Sequence, residues 1–214
     1  MSSHFDERYF SSAYKNYDRQ NPPHKIRFYH SLVSKALDGK VKARILEIGC
    51  AKGAFLKSAD PDWCMTGCET DFNLVNNTKK MIKNAKFVVC RLPDLPVYDS
   101  FDLIAAFDVL EHVKELDNSI VSIRNALKNG GSFVTVVPVY DGICGPLTHL
   151  LDKDPTHIHK RSRYFWLDLL EKHFKIVEWF GIARYYLPPF GYFHFVTNRF
   201  RQYTPAIAVL GKKC

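Results

Sequence analysis

Short apolar runs of strand length alternate with helical patterns over most of this 214-residue chain. Five such runs lie at 44–48, 63–68, 87–90, 101–107 and 132–137. Continuous apolar strands of this kind are buried on both faces, as happens when helical crossovers cover a parallel sheet from both sides. Two more strand-like runs, at 176–180 and 206–210, fit an antiparallel ending. We therefore predict an α/β fold with a doubly wound, mostly parallel seven-stranded sheet, an antiparallel edge strand, and helices on both faces.

Composition narrows the kinds of protein to consider. The chain has 46% hydrophobic and 24% charged residues, which are ordinary globular values and argue against disorder, collagen or coiled coil. It starts without the apolar core of a signal peptide, and no apolar run approaches the ~18–20 residues that span a bilayer. We expect a cytoplasmic protein with no transmembrane segment. Cys64 and Cys68 lack a second Cys/His pair at zinc spacing, so we expect no metal site and mostly reduced core cysteines.

Positive charge is concentrated near the C-terminus. The net charge is +8, and residues 157–214 hold ten Lys/Arg against three Asp/Glu, a local excess of +7. A basic region of this kind suits an anionic partner such as a phosphate, a nucleic acid or a lipid headgroup. A solvated, solubilising surface explains it equally well.

The strongest local motif is a strand that runs into a glycine turn and then a helix. It comprises Ile45-Leu46-Glu47-Ile48-Gly49-Cys50-Ala51-Lys52-Gly53. Gly49 lets the backbone turn sharply where the strand ends, and Gly53 lets the next helix approach both ligand and sheet. Twenty residues after Gly49, Glu69 ends the second strand, where its carboxylate can accept hydrogen bonds from both hydroxyls of a ribose. The two strands together predict a cofactor that contains adenosine.

The turn also discriminates between cofactors of this kind. The glycine pattern G-x-G-x-x-G, which makes room for pyrophosphate in dinucleotide sites, is absent. Glu47 would repel a pyrophosphate, whereas its carboxylate would attract the ammonium and sulfonium of S-adenosylmethionine. The charges therefore favour S-adenosylmethionine over NAD.

Four motifs in order make the chain resemble the class I S-adenosylmethionine-dependent methyltransferases, a family with a Rossmann-like fold. They are Leu46-Glu47-Ile48-Gly49-Cys50-Ala51-Lys52-Gly53, then Gly67-Cys68-Glu69, then the stretch from Phe101-Asp102-Leu103-Ile104 to Phe107-Asp108-Val109-Leu110-Glu111-His112-Val113, then Leu127-Lys128-Asn129-Gly130-Gly131. The resemblance covers about residues 43–138. The later 154–159 segment is also similar to one found in many members that act on small molecules.

The resemblance implies positions for the cofactor. Residues expected around the methionine end are Glu47, Gly49, Cys50 and Gly53. Glu69 would hold the ribose, Asp71 and Phe72 would lie near the adenine, and Asp108 and Leu110 would line the pocket after the fourth strand. Leu92 is also expected to contact the cofactor. The family often has an acidic residue after strand three, where this chain has Arg91-Leu92.

The chain is expected to divide at the first strand. Residues 1–42 would form an N-terminal lid and helix, with Tyr14 and Tyr17 in a segment that closes over the cofactor. Residues 43–214 would form the methyltransferase domain, with a loop-rich aromatic insertion at 181–203.

The implied activity is methyl transfer to an oxygen or nitrogen of a small-molecule or lipid-like acceptor, which is anionic if it uses the basic region. A base is needed only if the acceptor atom must lose a proton. The candidates for that base are His112, Asp141, His157 and His159, and packing or helix capping are the alternative roles of the histidines. An RNA methyltransferase and a non-catalytic member that binds S-adenosylmethionine are the other readings. The sequence predicts no oligomeric state.

Overall fold

A computed structural model describes residues 17–187 and 191–214. The helices are α1 Tyr17–Gln20, α2 Pro23–Ala36, α3 Ala54–Lys57, α4 Phe72–Met81, α5 Leu116–Ala126, α6 Gly145–Leu151 and α7 Arg163–Glu171. The strands are β1 Ala43–Ile48, β2 Trp63–Glu69, β3 Ala85–Val89, β4 Phe101–Phe107, β5 Leu127–Pro138, β6 Lys175–Leu187, β7 Gly191–Thr197 and β8 Ala206–Lys212. Short 3₁₀ turns lie at Leu110–His112 and Arg201–Tyr203. Within the described ranges, no helix has the length and apolar character needed to cross a membrane.

The described strands form one sheet in the order β3-β2-β1-β4-β5-β8-β6-β7. The first five pair in parallel, and β8, β6 and β7 then follow in antiparallel pairings. This confirms the predicted α/β class with a mostly parallel sheet and an antiparallel edge. The predicted count was one too low, because the described residues contain eight strands rather than seven.

The additional strand comes from the segment predicted to be loop-rich, residues 181–203, and that description is corrected. β6 continues to Leu187 and pairs with β7 in an antiparallel hairpin that runs from Gly181 opposite Thr197 to Leu187 opposite Gly191. Aromatic side chains suit an edge strand with one face open to solvent. Phe193 and Phe195 are accordingly about half exposed on β7.

Neighbouring residues of β4 point to opposite sides of the sheet and belong to two separate cores. Ile104 and Ala106 pack in the core that includes the apolar faces of α5 and α7. Leu103 and Ala105 pack in the other core, which includes the apolar face of α2. All four residues are fully buried, which explains why β4 has a continuous apolar sequence rather than an alternating one.

Asp102, at the start of β4, fastens this strand to its neighbours. Oδ1 accepts hydrogen bonds from Nζ of Lys40 and of Lys128, at 2.6 and 2.9 Å, and Oδ2 accepts one from the backbone N–H of Arg44 at 2.8 Å. Burial raises the pKa of Asp102, but these hydrogen bonds outweigh burial and lower the pKa to about 2. The residue therefore has a structural role.

Candidate functional site

The carboxyl ends of β1, β2 and β4 open into two adjoining cavities of about 340 and 280 Å³. Gly49, which follows β1, and Asp108, which follows β4, line both cavities. Gly49 has φ +71°, a conformation that costs glycine little, and a Cβ added there would lie 2.5 Å from Cγ2 of Val109. This is the edge at which open α/β sheets bind their ligands.

Glu69 is buried at the end of β2 and lines the larger cavity. Its Oε2 accepts a hydrogen bond from the N–H of Ala51 at 3.1 Å. Its Oε1 accepts hydrogen bonds from the N–H of Thr70 at 2.6 Å and from the Thr70 hydroxyl at 3.0 Å. The carboxylate is therefore held in one orientation beside the cavity. Leu92 lines the same cavity from the segment after β3.

Glu47 and Cys50 line the smaller cavity on either side of the glycine turn. The Glu47 side chain is buried, and its Oε2 has no hydrogen-bond partner among the described residues. Burial raises the pKa of Glu47 well above its usual range, and the charge of nearby Glu69 raises it further. An unpaired buried carboxyl is costly, and a cationic ligand group would relieve that cost. The glycine turn and this carboxyl therefore fit a cofactor that carries an ammonium.

Tyr17, at the start of α1, lines the smaller cavity as well. Its hydroxyl accepts a hydrogen bond from the backbone N–H of Ala54 at 3.2 Å. Burial raises the pKa of this hydroxyl, which therefore stays protonated at neutral pH. The other proposed lid residue, Tyr14, lies outside the described residues.

Asp108 sits at the centre of a partly buried charge cluster that sequence reasoning missed. Its Oδ1 lies 2.5 Å from Nη1 of Arg184, and its Oδ2 lies 3.5 Å from Nζ of Lys25 and 3.4 Å from the hydroxyl of Tyr29. Burial raises the pKa of Asp108, but the charges of Arg184 and Lys25 outweigh burial and lower it to about 2. Asp108 is therefore ionised at neutral pH and is a poor proton acceptor.

Two of the four candidate bases come together beside the cavities. The rings of His112 and His157 have centroids 4.7 Å apart, and His112 lines the larger cavity. Nδ1 of His112 lies 2.9 Å from the hydroxyl and 3.1 Å from the carbonyl oxygen of Thr156. Burial lowers the pKa of His112, so the ring is neutral at pH 7 and has a basic nitrogen.

The other two candidate bases lie elsewhere. Asp141 accepts hydrogen bonds from the backbone N–H and Nε of Arg163, both at 3.1 Å, and lies 3.0 Å from its Nη2. Nε2 of His159 lies 2.7 Å from the carbonyl oxygen of Val113, and the ring meets Trp166 edge to face. Neither residue lines either cavity. The alternation of His157 and His159 in sequence therefore does not give them a shared environment.

Four expected cofactor residues do not line the two cavities. A Cβ on Gly53 would lie 2.5 Å from Cδ1 of Ile82, so Gly53 permits close packing of the chain after the turn. The Asp71 side chain caps α4, because Oδ1 accepts the N–H of Leu74 at 2.6 Å. The remaining two are Phe72, which is 64% exposed, and Leu110, which is fully buried in the core.

Two cysteines beside the larger cavity differ from expectation. Cys68 and Cys90 form a disulfide and both line that cavity, whereas cysteines in apolar runs were expected to be reduced. The pairing arises because β2 and β3 are neighbours in the sheet, so that Cys68 lies opposite Val88, two residues before Cys90. The four free cysteines among the described residues are Cys50, Cys64, Cys144 and Cys214.

The fold and the site together define a class of protein. A sheet of this order, with a glycine turn after β1 and buried carboxylates at the ends of β1 and β2, is that of the class I S-adenosylmethionine-dependent methyltransferases. The resemblance noted in the sequence is confirmed.

Comparison with known proteins then gives the family. The sequence model of the methyltransferase domain family matches residues 17–187, and the chain belongs to this family. An uncharacterized 37.1 kDa protein in transposon TN4556 of Streptomyces fradiae is 28% identical over 125 residues, which are 55% of this chain and 36% of that protein. The chain thus spans about a third of the length of the curated relative it matches.

Solved structures share the fold at low sequence identity. A chain in the complex of the Haloferax volcanii Trm112 methyltransferase activator with a methyltransferase has a TM-score of 0.70 at 16% identity, covering 99% of both chains. The N-methyltransferase NodS of Bradyrhizobium japonicum, in complex with S-adenosyl-L-homocysteine, has a TM-score of 0.67 at 16% identity, covering 96% of this chain and 97% of NodS. At these identities the likeness shows the fold.

Proposed function

We propose that this chain transfers a methyl group from S-adenosylmethionine to an oxygen or nitrogen of a small-molecule or lipid-like acceptor. One observation carries the proposal: two adjoining cavities share Gly49 and Asp108, and each has a buried glutamate in its wall. Glu69 suits the hydroxyls of a nucleoside ribose, and Glu47, whose Oε2 has no hydrogen-bond partner among the described residues, suits a cationic amino acid group. These two chemistries, in adjoining cavities, match the two halves of S-adenosylmethionine.

In this proposal the chain's residues bind and orient, and S-adenosylmethionine supplies the electrophilic methyl group on its sulfonium. Holding an acceptor in line with the reacting carbon contributes roughly 7–11 kcal/mol to lowering the barrier. Gly49 provides the close approach, and Tyr17 helps to exclude water from the smaller cavity. Asp108 stays ionised under the influence of Arg184 and Lys25.

A general base, where the acceptor needs one, is best supplied by His112. It lines the larger cavity, and burial lowers its pKa, so its ring is neutral at pH 7. His157 adjoins it and is the second choice. Asp141 is the weakest candidate, because its carboxylate is engaged by Arg163.

The arrangement of basic residues favours a small acceptor over RNA. Three of the ten Lys/Arg after residue 157 are turned inward and paired with carboxylates rather than displayed to solvent. They are Arg163 with Asp141, Arg184 with Asp108 and Lys213 with Asp99. These three positive charges are therefore not available to bind an RNA backbone.

The division of the chain at residue 42 remains a proposal, as does the lid. The apolar face of α2 is buried in one of the two cores, so a lid would be confined to the residues before it. A cytoplasmic location stays a prediction as well. The Cys68–Cys90 disulfide counts against that location, because disulfides persist mainly in oxidising compartments.

Titration calorimetry with S-adenosylmethionine, S-adenosylhomocysteine and NAD tests the cofactor. We expect the first two to bind and NAD not to bind, because pyrophosphate would meet Glu47. Tight NAD binding without binding of the other two would contradict the proposal. A variant in which Ala replaces Glu69 should lose affinity for the cofactor. Glu171→Ala, which changes an exposed glutamate on α7, is its matched control.

Transfer of a radiolabelled methyl group tests the acceptor class. The panel comprises small hydroxyl and amine compounds, lipid vesicles and a structured RNA. Methylated small or lipid product supports the proposal. Methylated RNA, with binding that weakens steeply as salt rises, would replace it with the RNA reading. Cofactor binding without turnover on the whole panel would favour a non-catalytic role.

A further inference from the structure

A cluster of one buried carboxylate and two partly buried imidazoles lies beside the larger cavity. Glu111 and His112 belong to the 3₁₀ turn after β4, and His157 comes from the segment between α6 and α7. One potential ligand atom from each residue lies within 4.8 Å of the other two. The three side chains therefore converge on one point, although His157 is distant in sequence from the other two.

Glu111 is the unusual member of this cluster. Its side chain is 0% exposed, and neither carboxyl oxygen has a hydrogen-bond partner among the described residues. Leaving such a group unpaired in the interior is costly, and natural proteins usually satisfy it with a hydrogen bond, a charge or a metal ion. Burial and the charge of Asp108 both raise the pKa of Glu111, to about 8.

The backbone around Glu111 is fixed independently of its side chain. The carbonyl oxygen of Glu111 accepts hydrogen bonds from the N–H of Ile158 at 3.0 Å and of His159 at 3.1 Å. These two bonds hold the 157–159 segment against the 3₁₀ turn. The position of His157 next to the unpaired carboxyl is therefore set by the fold.

Oxygen acceptors orient both imidazoles in the way that metal-binding histidines are oriented. Nδ1 of His157 lies 2.9 Å from Oδ2 of Asp152 and 3.1 Å from the hydroxyl of Tyr140, which also bonds to Asp152. Nδ1 of His112 lies close to both oxygens of Thr156. A partner on one ring nitrogen fixes the tautomer and the ring plane and makes the other nitrogen a better ligand.

We propose that Glu111, His112 and His157 bind a divalent transition-metal ion. Two imidazoles and one carboxylate suit borderline ions such as Zn²⁺, Mn²⁺ or Co²⁺, whereas Mg²⁺ and Ca²⁺ prefer sites built from oxygen alone. Three protein ligands leave coordination positions open, and with the ion bound His112 is a ligand and no longer the candidate base. Because His112 also lines the larger cavity, these positions adjoin the proposed binding site of the cofactor. That adjacency matters only if the proposed function holds, whereas the metal site does not depend on it.

The test measures metal binding by the whole chain in the absence of cofactor and acceptor. Protein stripped with a chelator is titrated with Co²⁺, followed by calorimetry and by visible absorption. We expect one equivalent to bind, with d–d bands and without the intense near-ultraviolet band that thiolate ligands would add. Glu111→Gln and His157→Asn should each weaken binding at least tenfold. His173→Asn, which changes a histidine after α7 and outside the cluster, should leave the affinity unchanged.

Thermal melting without metal separates loss of the site from loss of the fold. Glu111→Gln keeps the side-chain shape and replaces a carboxyl whose oxygens have no hydrogen-bond partner among the described residues, so the metal-free variant should melt close to the native chain. It should also lose the rise in melting temperature that Co²⁺ gives the native chain. Absence of binding at millimolar Co²⁺, or equal binding by native chain, Glu111→Gln and His157→Asn, would overturn the proposal. Neither result would touch the proposed methyl transfer, which the cofactor titration tests separately.

Discussion

The ion pair between Arg184 and Asp108 gives a quantitative test of how the sheet extension supports the site. Arg184→Met removes the guanidinium 2.5 Å from Oδ1 of Asp108 and keeps most of the side-chain volume. Removing one partner of a buried pair typically costs about 3–5 kcal/mol. Asp108 keeps Lys25 and Tyr29 as partners, and its side chain is 28% exposed. We therefore expect the free energy of unfolding at pH 7 to fall by about 2–3 kcal/mol.

Chemical denaturation followed by circular dichroism measures this change. For a chain of this size, a loss of about 2–3 kcal/mol corresponds to a fall in melting temperature of roughly 4–12 °C. The double variant Arg184→Met/Asp108→Asn removes both charges and should recover part of the loss, because no unpaired carboxylate is left. Arg199→Met changes an exposed arginine and should cost less than about 0.5 kcal/mol.

The pH dependence supplies a second readout for the same pair. Arg184 and Lys25 hold the pKa of Asp108 at about 2, below its value in the unfolded chain. A lowered pKa contributes stability that is present above the unfolded value, near 4, and lost as the pH falls through about 2. The difference in stability between the native chain and Arg184→Met should therefore shrink over this window. A loss below about 0.5 kcal/mol in Arg184→Met, or a double variant no more stable than Arg184→Met, would refute the reasoning.

Three further substitutions test the site and the fold. Gly49→Val should weaken binding of S-adenosylmethionine at least tenfold by calorimetry, because a side chain at φ +71° would enter both cavities and meet Val109. Glu69→Ala should weaken the same binding by about 1.5–3 kcal/mol, or roughly 10- to 150-fold, the range for hydrogen bonds to a charged group. Asp102→Asn should lower the free energy of unfolding at pH 7 by about 1–2 kcal/mol, allowing for the solvent exposure of its lysine partners, of which Lys40 is 52% exposed. Since the pKa of Asp102 is lowered to about 2, this difference should be lost as the pH falls from 4 through 2 in urea denaturation.

Each of these results has a clear contrary outcome. Native affinity in both Gly49→Val and Glu69→Ala would mean that the cofactor does not bind at the end of β1. Equal loss of affinity in Glu69→Ala and the Glu171→Ala control would mean that Glu69 has no specific role. A stability difference for Asp102→Asn that persists unchanged at pH 2 would show that the carboxylate's charge is not what holds β4 to its neighbours.

The strands that the sequence located best are those buried on both faces. Phe101–Phe107 has the predicted bounds, because a fully buried strand leaves a continuous apolar run. The glycine turn after β1 was also predicted from the sequence, because the positive φ of Gly49 favours glycine at that position. A prediction from local sequence succeeds where burial or backbone conformation alone determines which residue type occupies a position.

Helix and strand boundaries that depend on how distant strands pair were harder to predict from the sequence. Asn129-Gly130-Gly131 is a sequence typical of a helix end, but α5 ends at Ala126 and these residues belong to β5. Leu127 pairs with Phe101, and the register shifts before Leu103 pairs with Ser132. The glycines therefore accommodate an irregularity in a strand pairing, which has no signature within the helix itself.

The contacts that shape the site join residues far apart in sequence. Arg184 reaches Asp108 from the hairpin that the sequence did not reveal, and Cys68 reaches Cys90 from a neighbouring strand. Nothing in the local sequence shows that the Glu111 carboxyl is buried with no hydrogen-bond partner among the described residues, although its motif was recognised. Sequence reasoning supplied the residues of the cofactor turn, and only the fold supplied their partners.

The six residues at 107–112 serve several functions at once. Phe107 stacks on Tyr29 with ring centroids 4.0 Å apart, Asp108 lines both cavities, and Glu111 and His112 belong to the proposed metal cluster. Positions so close along the backbone cannot shift independently. If a metal ion tightens the hold on the methyl donor by some factor, thermodynamic reciprocity requires the donor to tighten the hold on the ion by the same factor. The affinities for the metal ion and for the methyl donor are then coupled. Measuring either affinity with and without the other ligand gives the coupling free energy.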